Sequence, residues 1–339
     1  MFADMTTLTS PHDLLAAIPF LIGYHPSDSL VLVAIKEGAV SMAMRVDYPQ
    51  NENTAAYDLL AHHLKLDGAD AALMIAYVPS DKPELYETGA EVLGYLAISL
   101  LKNSIEIRES IEVIGNRWRS VICEDIACCP PEGNSLPDFE SSRVAAEQVM
   151  QGRSLPFIDV SKLADSIAAM PNIGAEFIAQ VESYFVHEDA PDLNEKQRDG
   201  ATAVVDLGQL YEAGRGNSDP DLVAQVIGRL SDIQVRDYAL GIHSEETLDA
   251  YWAMWKELLR IAPVGYVAPI ASIFAAVAYE SGQGALAHKA LDRALIDNPG
   301  YSLALLLRRV FSAGWPASAF IQMREQLHPK VKAAIFEAI

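Results

Sequence analysis

Two strand-like runs near the start of the chain constrain its fold more than any other feature. Residues 29–35 read Ser-Leu-Val-Leu-Val-Ala-Ile, an apolar and β-branched run that predicts a strand covered on both faces. Residues 39–46 alternate Val or Met with smaller or polar side chains, which predicts a second strand. Glu37 and Gly38 lie between the two runs as turn residues. The sheet therefore begins with a hairpin.

The turn also predicts which residues of the hairpin lie opposite one another. With Glu37 and Gly38 at its tip, Ser29 pairs with Val46, and the turn over residues 23–28 lies beside the end of the second strand. Four candidate catalytic side chains then meet at this open end: His25, Asp28, Arg45 and Asp47. A histidine flanked by carboxylates can act as a general base. In the alternative interpretation, the arginine pairs with one of the carboxylates and the group only stabilises the turn.

The rest of the N-terminal half alternates between helical and strand-like segments. A short helix begins at Ser10 and Pro11, with serine as its cap and proline at the first helical position, and it ends at Pro19. The later segments are a helix over 53–66, a strand over 71–78, a helix from Ser80–Pro83 to about Leu101, and strands over 105–114 and 117–123. Together they predict a mixed α/β sheet of about five strands.

Gly115 and Asn116 mark a second hairpin, because this pair of residues is typical of a two-residue turn. Pairing across the turn places Glu112 opposite Arg119. A cross-strand pair of opposite charge contributes from a few tenths of a kcal/mol up to about 1 kcal/mol.

The C-terminal half has the periodicity of helices alone. Residues 130–142 hold three prolines, a glycine and small polar residues, which indicates a linker. We therefore expect a mixed α/β domain over residues 1–155 and an all-α domain over residues 156–339. The predicted helices are 143–152, 159–170, 174–187, 195–213, 220–230, 244–261, 269–281, 284–297, 302–313 and 317–326.

Residues 268–301 resemble one tetratricopeptide repeat, a pair of helices with small residues at the crossing. Ala275, Ala287 and Ala294 fall at the small positions and Pro299 at the proline position, although the large aromatic of the first helix is missing. Stacks of such helix pairs bind proteins or peptides on a concave face. We therefore expect a protein partner for the helical half.

The charge of the chain excludes several classes of partner. The net charge is −21, and both halves are acidic. Phosphate contacts need clusters of Lys or Arg, so neither nucleic acid nor an anionic membrane is an expected partner. Neither a G-x-x-x-x-G-K-[ST] loop nor a G-x-G-x-x-G loop is present, so we expect no nucleotide cofactor. Three cysteines are too few for a disulfide framework, which favours a cytoplasmic location.

All three cysteines lie in the stretch RWRSVICEDIACCPPEG over residues 117–133. Cys123, Cys128 and Cys129 are weak candidates for a zinc site, because vicinal side chains diverge in extended backbone and a fourth ligand, such as His25 or His12, must come from elsewhere. A reactive thiol, with Cys123 as nucleophile and nearby arginines favouring the thiolate, is another alternative. The third is a structural role for buried thiols that anchor the loop.

The cysteine stretch and the run DLLAAIPFLIGYHPSDSLVLV over residues 13–33 resemble the actinobacterial domain-of-unknown-function family 4192. The ending ALDRALIDNPGYSLALLL over residues 290–307 fits the same family. The resemblance implies a bacterial cytoplasmic protein, and it implies no activity.

We expect a non-catalytic protein-interaction or regulatory protein whose helical half forms the binding surface. The alternative is an enzyme, or a redox or metal-binding protein, whose site combines the His25 turn with the loop from Cys123 to Cys129. The alternative requires these groups to converge in one cleft that is accessible to water.

Overall fold

The computed structural model describes residues 8–50, 54–81 and 86–337. The contacts divide the chain into two units, residues 1–163 and 164–339. The helices and strands of the described residues are α1 (Pro11–Ile22), β1 (Ser29–Lys36), β2 (Ala39–Asp47), α2 (Thr54–Asp67), β3 (Ala71–Val78), α3 (Gly89–Lys102), β4 (Glu106–Ile114), β5 (Arg117–Ser120), β6 (Asn134–Ser135), α4 (Arg143–Met150), α5 (Val160–Asp165), α6 (Ala175–Ser183), α7 (Leu193–Glu212), α8 (Pro220–Arg229), α9 (Ile233–Gly241), α10 (Leu248–Ile261), α11 (Val267–Glu280), α12 (Gly284–Asp297), α13 (Ser302–Ser312) and α14 (Ala317–Phe336).

A six-stranded sheet in the order β2-β1-β3-β4-β5-β6 organises the N-terminal unit. Strands β3 and β4 are parallel and joined through α3, and the other neighbours are antiparallel. The prediction of a mixed sheet is confirmed. The sixth strand, at the edge of the sheet, comes from the predicted linker, because Asn134 and Ser135 pair with β5. Phe157 also pairs with the segment after α1, so residues up to 163 belong to this unit.

Strand β1 is covered on both faces, as the apolar run predicts, and residues 29–35 are all buried. Helices α2 and α3 cover one face through a cluster that includes Leu30, Leu32 and Met74. Helix α1 contacts β2 and packs against α4 through Ala16, Ala17 and Val144. Strand β1 therefore lies in the interior of the sheet, whereas β2, at the edge, is only partly buried.

The register of the first hairpin differs from the prediction by one residue. Lys36 lies opposite Ala39 as expected, but Ser29 lies opposite Asp47 instead of Val46. The shift arises between Ala34 and Ile35, where Ser41 has no opposite partner. Such a β-bulge inserts one extra residue into one strand, and it changes every pairing beyond it.

The second hairpin has the predicted register, with Glu112 opposite Arg119. The Glu112 side chain is 2% exposed, and its Oε2 accepts a hydrogen bond from Nε of Arg119 at 2.8 Å. The carboxylate also lies against Gly89, the first residue of α3, where a Cβ would come within 2.6 Å of Oε1. A helix N-terminus and an arginine therefore both stabilise this buried charge.

Several helix boundaries differ from the prediction, and α5 and α6 end at Asp165 and Ser183 instead of at residues 170 and 187. Helix α1 continues past Pro19 to Ile22, and α14 continues past Pro329 to Phe336. The helix predicted from Ser80 begins only at Gly89, where Thr88 and Glu91 form a capping box. The predicted positions Asn53 and Pro83 lie outside the described residues. Strand β5 ends at Ser120, so the predicted strand over 117–123 is three residues too long.

Helix α9 lies between the predicted helices 220–230 and 244–261, where the sequence analysis assigned no helix. Asp232 caps it by accepting hydrogen bonds from the backbone N–H groups of Gln234 and Val235. The helix predicted over 244–261 begins only at Leu248. An Asp followed by apolar residues at helical spacing was the available signal.

Helix α11 is the centre of the C-terminal unit. Residues 267–278 are all buried, and the helix packs against α9, α10, α12, α13 and α14. No helix that the structure describes has both the length and the apolar character needed to cross a membrane.

Replacing Arg119 with Met should destabilise the N-terminal unit by roughly 1–3 kcal/mol, because the buried Glu112 carboxylate loses its ionic partner. Urea-induced unfolding followed by circular dichroism measures the change. Arg108→Met is the matched control on the neighbouring strand. Its pair with Glu106 is exposed on both sides, so the expected change is within about 0.5 kcal/mol. Equal effects of the two substitutions would contradict the assignment.

Candidate functional site

The open end of the first hairpin holds an ion pair. The Arg45 guanidinium is hydrogen-bonded to the Asp47 carboxylate, and it also donates to the backbone carbonyl of Ser27 at 3.4 Å. The ring of Tyr24 is buried nearby. Burial raises the pKa of Tyr24, with smaller opposing effects from the charges of Arg45 and Asp47. This arrangement agrees with the structural interpretation, in which the arginine pairs with a carboxylate.

His25 lies in an aromatic environment. Its ring packs edge-on against Phe139 with a centroid distance of 4.5 Å, and burial lowers its pKa. Asp28 is exposed with φ at +45°, and its backbone carbonyl accepts a hydrogen bond from the N–H of Tyr48 at 3.0 Å. Over residues 8–50, 54–81 and 86–337, no hydrogen bond or ion pair joins the His25 ring to a carboxylate. The general-base arrangement is therefore not assembled in the structure.

The three cysteine side chains come together. The Sγ atoms of Cys123, Cys128 and Cys129 all lie within 4.8 Å of one another. The cause is a turn at Asp125. Its carbonyl accepts hydrogen bonds from the N–H groups of Cys128 and Cys129 at 3.1 and 2.7 Å, and its carboxylate accepts one from Ala127 at 2.9 Å. The backbone is therefore not extended here, and the vicinal side chains converge.

The thiols are partly accessible, with Cys128 exposed and the other two half-buried. Burial raises the pKa of Cys129 to about 11, and the neighbouring thiols of Cys123 and Cys128 add to the effect against a lowering hydrogen bond from the Ser120 backbone. The two arginines expected to favour a thiolate are engaged elsewhere. Arg117 donates to the carbonyl of Gly133, and Arg119 donates to Glu112.

The hairpin end and the cysteine cluster lie at separate places on the sheet. The pairing of adjacent strands aligns five residues in one row: Arg45, Val31, Ile75, Ile111 and Ser120. Adjacent strands are about 4.8 Å apart, so four intervals separate Arg45 from Ser120 by about 19 Å. Because Ser120 is hydrogen-bonded to Cys129, the cluster belongs to the far end of this row. The structure does not bring Arg45 and the thiols into one cleft.

A third polar site, which the sequence analysis missed, lies under α14. The Glu280 carboxylate at the end of α11 is 2% exposed. One of its oxygens accepts a hydrogen bond from Nε of Arg324 at 2.8 Å, and the other lies 2.9 Å from Nε2 of His243. Arg324 also donates to the carbonyls of Gly241 and His243 at 3.1 and 2.9 Å. One buried arginine therefore binds the C-terminal ends of both α9 and α11, where the helix dipoles favour a cation.

Apolar contacts extend this site along α14. The His328 ring lies 5.0 Å from the ring of Tyr238 on α9, and Phe336 contacts the same tyrosine. Ile335 forms a buried cluster with Tyr238 and with Ala201 of α7. At its other end, Phe320 packs on Tyr279 and Phe311. Helix α14 thus contacts α7, α9 and α11 in turn. The sequence carried only one signal for this site, a carboxylate at the end of the most apolar helix.

Two apolar cavities in the described residues lie elsewhere. One of about 30 Å³ is lined by residues of α1 and α4 together with Leu8 and Val40. The other, of about 240 Å³, is lined by residues 170–174, Phe177 and Ile261. Neither is lined by the cysteines, by His25 or by Arg45.

The fold defines a two-unit protein, with a mixed α/β sheet in the first unit and helices in the second. A family model matches residues 11–318. The chain therefore belongs to the family described as Domain of unknown function (DUF4192). No curated protein and no solved structure matched the chain in the corresponding comparisons.

Replacing Gly241 with Ala should weaken the docking of α14. A Cβ at this position would lie 2.5 Å from Nδ1 of His328 and 2.8 Å from its Cβ, so the helix must shift. The expected loss of stability is about 1–3 kcal/mol, as for other overpacked sites. Urea-induced unfolding measures it. Gly284→Ala at the start of α12 is the control, since a Cβ there meets nothing within 4 Å and should change stability by no more than about 0.5 kcal/mol.

Proposed function

We propose that this protein is a non-catalytic interaction protein, and that its helical unit binds an amphipathic helix across α7, α9 and α11. The observation that carries the proposal is α14, which already occupies this face through a buried charged network and apolar contacts. The face therefore has the shape and the chemistry to hold a helix. The net charge of −21 and the three free cysteines support a cytoplasmic location and argue against nucleic acid as the partner.

A tetratricopeptide-like arrangement of the helical unit is part of the proposal. Helices α9, α11 and α13 begin at residues 233, 267 and 302, in steps of 34 and 35 residues. The period of tetratricopeptide repeats is about 34 residues. Ala275, Ala287 and Ala294 are fully buried at the contact of α11 with α12, as small residues at a helix crossing should be.

In stacks of helix pairs, one helix of each pair lines the concave face that binds partners. Helices α7, α9 and α11 take this position in the proposed arrangement, and α14 packs against all three. The last helix therefore departs from a regular repeat, in which it would pair mainly with α13. It occupies the place of a bound helix instead.

The contacts of α14 specify the chemistry of the partner. The buried Glu280 carboxylate and the carbonyls at the end of α9 require a guanidinium, because an arginine supplies several donors in a fixed geometry. Apolar side chains must follow on the same helical face to cover Tyr238 and Ala201. We therefore propose an amphipathic helix with one arginine as the partner, displacing α14.

The direct test uses a fluorescent peptide of residues 315–337 added to the full-length protein. Wild-type protein should bind it poorly, because its own α14 covers the face. Arg324→Ala protein should bind it at least about tenfold more tightly. A loss of about 1.4 kcal/mol in the free energy of α14 docking raises the population of molecules with an uncovered face about tenfold. Fluorescence anisotropy measures both affinities.

Matched controls separate the specific effect of removing Arg324 from the effect of removing any positive charge. Lys330→Ala removes an exposed cation from the same helix and should behave as the wild type. A peptide whose own arginine is replaced by alanine should not bind the Arg324→Ala protein. Ile335→Ala loosens α14 by a second route if the arginine variant fails to fold. Equal binding of the peptide to wild-type and both loosened proteins would refute the proposal.

Acid should loosen α14 through His328. Burial is the main cause that lowers the pKa of His328 from 6.5, and the charges of Arg324, Lys332 and His243 add to it. As the pH falls below the unfolded value, the unfolded chain binds the proton first, so the stability contributed by the neutral ring is lost. Between about pH 7.5 and about pH 5.5, wild-type protein should lose more stability than His328→Gln protein, measured by urea-induced unfolding. His25 and His288, with lowered pKa values too, are common to both proteins. Identical losses would contradict this prediction.

A further inference from the structure

The cysteine cluster is a preformed set of soft ligands that the proposed binding function does not use. Cys123, Cys128 and Cys129 are the only cysteines of the chain, and their three sulfur atoms lie within 4.8 Å of one another. Two of these residues are adjacent in sequence, and only the turn at Asp125 directs their side chains to the same point. The convergence is therefore a product of the loop's fold.

The distances fit a thiolate-bound metal. Tetrahedral zinc has Zn–S bonds of about 2.3 Å, which places its sulfur ligands about 3.8 Å apart. Sulfur atoms within 4.8 Å of one another reach this spacing by side-chain rotation and shifts of about 1 Å or less. No movement of a strand is needed.

The C-terminal side of the loop is anchored to the sheet by several hydrogen bonds. Asn134 on β6 donates from its side chain to the carbonyl of Cys128 at 2.8 Å. The N–H of Gly133 donates to the carbonyl of Pro130 at 2.8 Å, and Arg117 on β5 holds the carbonyl of Gly133. Gly133 has φ at +74°, and a Cβ there would come within 3.0 Å of the carbonyl oxygen of Trp118. The loop that carries the thiols is therefore held in place by the edge strands of the sheet.

The fourth ligand of a tetrahedral zinc ion determines whether the site is structural or exchanges ligands. Among the described residues, no His, Asp or Glu joins the three thiols. The two histidines considered from the sequence contact aromatic rings instead, His12 against Trp118 and His25 against Phe139. Closed four-ligand sites are structural, whereas sites with an open position exchange ligands.

We propose that Cys123, Cys128 and Cys129 bind one Zn²⁺ as thiolates, with the fourth position open to water. Binding forms three Zn–S bonds, and the three thiol protons pass to the solvent. Affinity therefore rises with pH. The site lies in the N-terminal unit, and it is independent of the helix-binding face proposed for the helical unit.

The test is a titration of the reduced full-length protein with Zn²⁺ against a chromophoric chelator, with Co²⁺ as a spectroscopic probe. One equivalent of Zn²⁺ should bind, and Co²⁺ should give sulfur-to-metal charge-transfer absorption. We expect a lower affinity for Zn²⁺ in each of the variants Cys123→Ser, Cys128→Ser and Cys129→Ser. The loss should exceed the roughly 10- to 100-fold loss that follows removal of a residue that only supports a metal ligand. Glu124→Gln, in the same loop, is the control and should bind as the wild type. Circular dichroism verifies that each variant is folded.

Three outcomes would overturn the proposal. The first is the absence of stoichiometric Zn²⁺ binding by protein with three titratable thiols. The second is stoichiometric binding of Cu⁺ without binding of Zn²⁺, which would assign the thiols to a different ion. The third is Zn²⁺ binding that all three serine variants retain, which would place the ion elsewhere.

Discussion

The burial of α11 is the constraint on which the helical unit depends. A helix that is apolar around its whole circumference needs neighbours on every side. Four helices cover α11 from the sides, and α14 completes the enclosure. The polar end of α11 is the exception, because Glu280 carries a charge into this enclosure. Arg324 and His243 meet that charge, so the same contact that completes the core also determines where α14 docks.

The N-terminal unit applies the same rule to a sheet. Its buried strand β1 needs cover on both faces, and α2 and α3 cover one of them while α1 contacts the hairpin through β2. The carboxylates of Glu112 and Glu280 are both buried and both paired with a guanidinium, and the N-terminus of α3 additionally favours the charge of Glu112. In both units a buried carboxylate fixes how neighbouring elements meet. Removing the partner of a buried charge is costly, whereas an exposed pair contributes little.

Periodicity and turn chemistry predicted five of the six strands and the register of the second hairpin, because these depend on neighbours in sequence, whereas β6 was missed within the predicted linker. The bulge at Ser41 could not be predicted, since an extra residue in a strand leaves no mark in an alternating pattern. Spacing alone argued against convergence of the vicinal cysteines, and the turn at Asp125 reversed that conclusion. The network around Glu280 joins it to Arg324 and His243, which are 44 and 37 positions away in the sequence. Local sequence patterns do not predict contacts over such separations.

Pro329 gives α14 a further property. A proline inside a helix removes one backbone hydrogen bond and costs about 3 kcal/mol, so α14 is a poor helix when it stands alone. Its helical form depends on the contacts of Arg324, His328 and Ile335 with the rest of the unit. Undocking and melting are therefore a single event for this segment. If a partner displaces α14 as proposed, we expect this segment to lose its helical form and to become accessible to proteases, so that proteolysis would report whether the face beneath it is occupied by a partner.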